Sequence, residues 1–251
     1  MALRRVRLDI EYDGTDFAGW QTQPGLRTIQ GELERALAVP LRRPVRIVGA
    51  GRTDAGVHAL RQVAHADLPA DCDLSRLFAT VNALTPASIA LLGLSRVSHD
   101  FHARRSATAR AYRYRMACRA VAYGRAYIWS LRQRPSLVRM RECAEALPGV
   151  HDFASFCVAR SAPKGTECRI LTASWRSTEG EYRFHVSANR FVHGMVRRLV
   201  GAMVEVGLGR MTPADFRTLL TGARRRGTGP TAPACGLCLV EVMYEGAGEQ
   251  T

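Results

Sequence analysis

Gly49-Ala50-Gly51-Arg52-Thr53-Asp54-Ala55-Gly56-Val57-His58-Ala59 sets one carboxylate, Asp54, in a glycine-bounded turn beside an arginine. Gly51 and Gly56 lack a Cβ, so the backbone there can take left-handed dihedrals and approach a ligand or a neighbouring strand closely. Arg52, two residues ahead of Asp54, can hold the carboxylate ionised by charge pairing and hydrogen bonding. The same residues also suit an ordinary turn with a surface ion pair. What surrounds the glycines bears on the fold. There is no Gly-x-Gly-x-x-Gly and no Gly-Lys-Ser/Thr, and a strand-like run follows instead of a long helix, so the dinucleotide-binding and P-loop readings fail.

Working outward, hydrophobic periodicity gives one order of elements twice. Val6, Leu8, Ile10 and Tyr12 alternate with Arg5, Arg7, Asp9 and Glu11, the pattern of a strand with one buried face. Ile29, Leu33, Ala36 and Leu37 fall at helical spacing. Short strands are expected near Val45 to Gly49 and Gln62 to Leu68, then a helix with Leu74, Leu77, Phe78 and Val81 on one face, then a strand over Ile89 to Leu94. After a turn-like stretch at Ser98 to Arg105, Tyr112, Tyr114 and Met116 alternate against Arg113 and Arg115. A helix over Leu137 to Leu147, strands at Leu171 to Ser177 and Glu181 to Ala188, a helix from Val192 to Val206, a short helix over Pro213 to Thr221 and a strand from Leu237 to Tyr244 complete the second set. The order is βαββαβ, then βαββαβ with one insertion. The expected fold is α/β (α+β): two ferredoxin-like units, 1–103 with the Asp54 loop and 104–251, with joined mixed and antiparallel sheets and a cleft between them.

Lys and Arg total 36 against 22 acids, a net charge of +14 at pH 7, which favours a polyanionic partner. Lys164 is the only lysine, and arginine supplies the bidentate phosphate contacts and planar stacking that lysine cannot. No run of 18 apolar residues appears, and Met1 to Arg5 leads straight into a strand pattern instead of an apolar signal core. Seven cysteines, an odd number without framework spacing, point to reduced thiols and a cytoplasmic protein. Cys235-Gly236-Leu237-Cys238 is a lone Cys-x-x-Cys, and no His-x-His or His-Glu-x-x-His occurs, so no metal site is expected.

The segment from Gly51 to His58 resembles the Gly-Arg-Thr-Asp-Ala-Gly-Val-His signature of the TruA family of tRNA pseudouridine synthases, and the likeness covers most of the chain. It extends to Ile10–Thr15 and Phe17–Gln21 before the loop, and to Asp100–Arg104, Ser106–Arg110 with Tyr112–Tyr114, Gly149–Phe153, Asn189–Arg197 and Ala232–Leu239 after it. The resemblance implies isomerisation of uridine to pseudouridine in the tRNA anticodon stem-loop, at positions 38 to 40, by a cytoplasmic homodimer with an RNA-binding cleft. The reaction breaks a glycosidic C–N bond, turns the uracil and joins C5 to the same ribose carbon, with no redox change and no cofactor. Asp54 would be the nucleophilic carboxylate, adding to the ring or the sugar or taking a sugar proton. Arg52 would orient it, Tyr112 would pack on the flipped uracil, and Arg197 would pair with the carboxylate. Tyr112, Arg104, Arg110, His58 and Lys164 would contact RNA, although the segment around Lys164 departs from the family pattern. Two rivals share the fold: a pseudouridine synthase for other RNAs, and a non-catalytic RNA-binding protein.

Overall fold

A computed structural model describes residues 2–158, 165–178, 180–222 and 227–245. By contacts the chain forms two compact units, Met1–Thr108 with Leu239–Thr251, and Ala109–Cys238.

In the first unit, β1 (Leu3–Tyr12) buries Val6, Leu8, Ile10 and Tyr12 and turns Arg5, Arg7, Asp9 and Glu11 away from the core. Such burial contributes roughly 1.5–3 kcal/mol for each large side chain. Helix α1 (Ile29–Leu41) starts where the Thr28 hydroxyl accepts from Gly31 N–H, and ends at Arg42, which is left-handed at φ 49°. Pro40 in its last turn has no N–H to continue the ladder. There follow β2 (Val48–Gly49), β3 (His58–Pro69), α2 (Leu74–Leu84), capped by Asp73, and β4 (Ile89–Arg96). Strand β1 lies between β3 and β4, antiparallel to both, and β2 pairs with β3. The order β4-β1-β3-β2, with α1 packed on α2, is the ferredoxin-like arrangement expected from the alternation.

The second unit holds β5 (Ala107–Ala117), β6 (Trp129–Ser130), α3 (Leu137–Glu145), β7 (Gly149–Asp152), β8 (Glu167–Thr178), β9 (Glu181–Ala188), α4 (Met195–Gly207) and α5 (Pro213–Leu219), and the chain returns in β10 (Leu237–Tyr244). The order β5-β9-β8-β7 is antiparallel throughout, while β6 pairs in parallel with β5, so the pairing is mixed. Helix α4 buries Leu199, Val200, Met203 and Val206, and Trp175 Nε1 on β8 donates to Met203 Sδ at 3.2 Å. Strands β6 and β7 add to the expected βαββαβ order. β6 is too short to show a period, and β7 has an exposed Val150 that hides any alternation. The expected division kept the whole last strand with the second unit; by contacts Leu239 onward groups with the first, where β10 stands next to β3 in strand order.

Candidate active site

The Asp54 loop is the connection from β2 to β3, and a buried scaffold of the first unit fixes it. At its entry Ala50 N–H donates to Val63 O at 2.7 Å. Gln62, with 0% of its surface exposed, accepts from Gly51 N–H at 3.3 Å through Oε1 and donates to Gly51 O at 3.1 Å through Nε2. The same Nε2 lies 3.4 Å from Tyr12 Oη, and Tyr12 Oη lies 2.8 Å from Thr53 Oγ1. The loop is therefore held by hydrogen bonds up to the residue before Asp54. Buried polar groups in such a network remain favourable only while every member is satisfied.

A β-bulge explains how Gln62 reaches this position. Ile10 pairs with Gln62 and Tyr12 with Ala59, so β3 carries one more residue than β1 in between, and Leu60 and Arg61 both face outward. The extra residue re-aims the strand and turns Gln62 and His58 into the interior.

The other wall is the segment Phe17–Trp20. Trp20 N–H donates to Thr53 O at 3.1 Å, and Gly56 N–H to Phe17 O at 3.3 Å. A Cβ on Gly19 would stand 2.6 Å from Thr53 O, and Gly56 holds φ 75°, so both positions require glycine. Val57 N–H donates to Asp54 O at 3.2 Å and closes the turn. Asp54 is partly exposed and Arg52 is exposed, above buried Thr53 and Val57. His58 is buried, with Nδ1 3.1 Å from Gly14 N and 3.0 Å from Asp13 Oδ1; it ties the loop's end to the Asp13 turn. Two stretches distant in sequence, Asp13–Trp20 and Gly49–His58, thus meet at the loop that carries Asp54.

In the second unit Tyr112 lies on β5 opposite Val186, 8% exposed, and its ring meets Phe191 edge-on at 5.0 Å. Tyr114, two residues on, is core: its hydroxyl donates to Pro233 O at 2.8 Å, and burial raises its pKa. Arg197, on the first turns of α4, donates from Nε to Ala232 O at 2.8 Å, while Ala232 N–H donates to Arg197 O at 3.1 Å. His193 does not share a helix face with Arg197, because α4 begins at Met195 after a left-handed Gly194, φ 73°. Arg110 is buried and donates from a terminal nitrogen to Asn189 O at 2.9 Å, so that guanidinium braces the end of β9; Arg104 is exposed. Lys164 lies outside the described residues.

The turn bearing Arg104 is itself anchored in the first unit. His65 Nδ1 accepts from Ala103 N–H at 3.1 Å, Tyr244 Oη donates to Ala103 O at 2.8 Å, and His102 Nδ1 accepts from the Arg104 and Arg105 amides at 3.2 Å each. Burial, the neighbouring His102 and Arg5 bring the His65 pKa down to about 4. Sequence reasoning missed His65, Gln62 and Tyr12 as site supports. A glutamine opening an otherwise apolar strand run was the available signal for Gln62.

The chain carries seven cysteines. All seven are free, and burial pushes Cys143 up to about 12 and Cys168 to about 11. Cys235 Sγ sits 3.6 Å from Ile128 O. Among the described residues no three His, Cys, Asp or Glu side chains group to hold a metal ion.

Comparison with known proteins gives one family. A family model described as tRNA pseudouridine synthase matches residues 143–245. Over nearly the whole chain, proteins named tRNA pseudouridine synthase A are similar: 40% identical in Chlorobaculum tepidum, covering 96% of this chain and 98% of the relative. The relative in Solidesulfovibrio magneticus is 43% identical, covering 98% and 93%, and that in Bacillus pumilus is 38% identical, covering 96% and 99%.

Proposed function

This chain belongs to the tRNA pseudouridine synthase family, and we propose that it isomerises uridines of the tRNA anticodon stem-loop, at positions 38 to 40, with Asp54 as the attacking carboxylate. As an isomerase it must exchange one bond for another: N1–C1′ breaks, C5–C1′ forms, the C5 proton leaves and N1 gains a proton. Electrons balance without a cofactor. A carboxylate can serve by adding to the ring or the sugar, or by taking a sugar proton, and each route needs it held at a fixed position beside the ribose.

The observation that carries this reading is the clamp on the loop. Gln62 and Trp20 hold the backbone at Gly51 and Thr53, and Tyr12 holds the Thr53 hydroxyl, while Asp54 itself keeps part of its surface open. A turn built only for stability would have no use for so many buried polar groups beneath one partly exposed carboxylate. Arg52 shares the loop and is assigned to orienting the carboxylate or contacting RNA phosphate. To the same reaction we assign Tyr112, as the aromatic face for an extruded uracil, and Arg197, as a positive charge for the carboxylate. His58, at 6% exposure, serves the loop's geometry more directly than RNA contact. A homodimer in the cytoplasm is part of the same proposal; among the described residues no helix is long and apolar enough to cross a membrane.

Release of tritium from tRNA transcripts labelled at uracil C5 tests it. The wild-type protein should release label and Asp54→Asn should not, with tRNA affinity within about threefold of wild type. Turnover by freshly purified Asp54→Asn would remove Asp54 from the nucleophile's role.

A further inference from the structure

Between Asp100 and Glu142 the chain has no acidic residue and eleven arginines. Several of these are committed inside the fold: Arg110 to Asn189 O, and Arg115 to Glu181, whose carboxylate two arginines hold down at a pKa of about 2. Arg119, Arg125 and Arg132 are exposed, and no carboxylate among the described residues forms a salt bridge with them. Between the first two stands Tyr123, 100% exposed.

The loop that presents them is pinned at its base. Met116 and Ala117 pair with Trp129 and Ser130 of β6, Leu131 N–H donates to Ala117 O at 2.9 Å, and Ser130 Oγ donates to Arg119 O at 2.6 Å. At the tip a left-handed Gly124, φ 74°, opens a single 3₁₀ turn over Arg125–Tyr127, closed by Tyr127 N–H on Gly124 O at 2.9 Å. An isolated exposed apolar side chain is common and carries no message. A fully exposed ring with an arginine four residues before it and another two residues after it in sequence, in a stretch without negative charge, has the composition of a stacking platform with phosphate contacts.

We propose that the 118–132 loop of the second unit is a binding surface for unpaired RNA, with Tyr123 stacking on a base and Arg119 and Arg125 contacting the flanking phosphates. That the RNA is tRNA rests on the function proposed above; the RNA-binding chemistry does not. A second copy of this chain fits the surface poorly, since an isologous contact would set one arginine-rich loop against another. Base stacking on an aromatic tolerates any sequence, so the loop contributes affinity and placement more than base identity.

The test is tRNA binding measured across a salt series for wild type, Tyr123→Trp, Tyr123→Ala and the double variant Arg119→Gln/Arg125→Gln, with molar mass by light scattering. These side chains are exposed, so the variants should fold. Tyr123→Ala should weaken binding about five- to a hundredfold, and Tyr123→Trp should stay within about threefold of wild type. The arginine double variant should flatten the log–log salt slope by about 1.5, the loss of two phosphate contacts. Unchanged affinity and slope in both Tyr123→Ala and the double variant would overturn the proposal, as would a change of molar mass with affinity intact, the mark of a subunit contact. Should wild type bind tRNA with these dependences yet release no tritium, the functional reading fails and this surface stands.

Discussion

Gln62 holds Gly51 from both sides, its Oε1 accepting from the Gly51 amide at 3.3 Å and its Nε2 donating to the Gly51 carbonyl at 3.1 Å. One side chain thereby replaces a stretch of sheet ladder where the loop leaves β2. The loop is thereby tied to β3 at Gly51, with its carboxylate three residues further on.

Gln62→Leu keeps the volume and takes the Gln62 partner from both the amide and the carbonyl of Gly51, at about 1–3 kcal/mol for each buried group left unsatisfied, while Tyr12 Oη keeps Thr53 Oγ1. Because Asp54 depends on that loop for its position, turnover at saturating tRNA should fall by tenfold or more while affinity changes little. Urea denaturation separates loss of fold from loss of placement. Tyr12→Phe, which removes only the hydroxyl facing Thr53 and Gln62, should show the smaller effect of the same kind. A rate defect that merely tracks the lost stability would make Gln62 a structural residue.

Tyr112 combines a buried ring with an edge-on partner, Phe191. Tyr112→Ala loses the aromatic platform, worth about 1–3 kcal/mol per stacked base, and should depress single-turnover rates heavily. Tyr112→Phe keeps the ring, so any remaining defect reports on the hydroxyl and proton handling. Wild-type rates in both would assign Tyr112 to the strand core alone.

The His65 pKa of about 4 makes a prediction with a definite sign. Against about 6.5 in the unfolded chain, the folded state favours the neutral ring, whose Nδ1 accepts from Ala103 N–H. Its stabilisation is complete above pH 6.5 and is lost as pH falls towards 4, with a slope of at most about 1.4 kcal/mol per pH unit. Arg5, His102 and Arg105 face the ring and oppose its protonation, and Asp67 favours it. Glu181, held at about 2, loses its contribution only below the ordinary carboxylate range, so the interval from 6.5 to 4.5 is clear of it. His65→Asn, which can offer an amide oxygen to Ala103 N–H, should unfold in urea with a flatter pH dependence in that interval. An unaltered profile would refute the assignment.

Isomerase activity should survive exhaustive dialysis against a chelator, since the chemistry moves bonds and protons without redox change and a carboxylate suffices as nucleophile. The assay must supply magnesium for tRNA folding after dialysis, with zinc added in a parallel sample. Activity regained with zinc and not with magnesium alone would contradict it.

The sequence by itself determined the pattern of the sheet. The alternation of Val6, Leu8, Ile10 and Tyr12 marks one buried face, and the last strand runs from Leu237 to Tyr244 as its periodicity indicates. It also located the Asp54 loop between two strands, because glycine spacing and side-chain alternation are local properties with periods of a few residues. Tertiary structure alone decided what those periods cannot encode. Tyr12 meets Thr53 across 41 positions and Gln62 across 50, and Arg110 meets Asn189 across 79. The helix read from Val192 begins only at Met195, because Gly194 takes a left-handed conformation ahead of it. A hydrogen-bond partner is chosen by where folding brings the backbone, so a charged or amide side chain reads alike in sequence whether it ends in solvent, like Arg119, or in a buried bond, like Gln62.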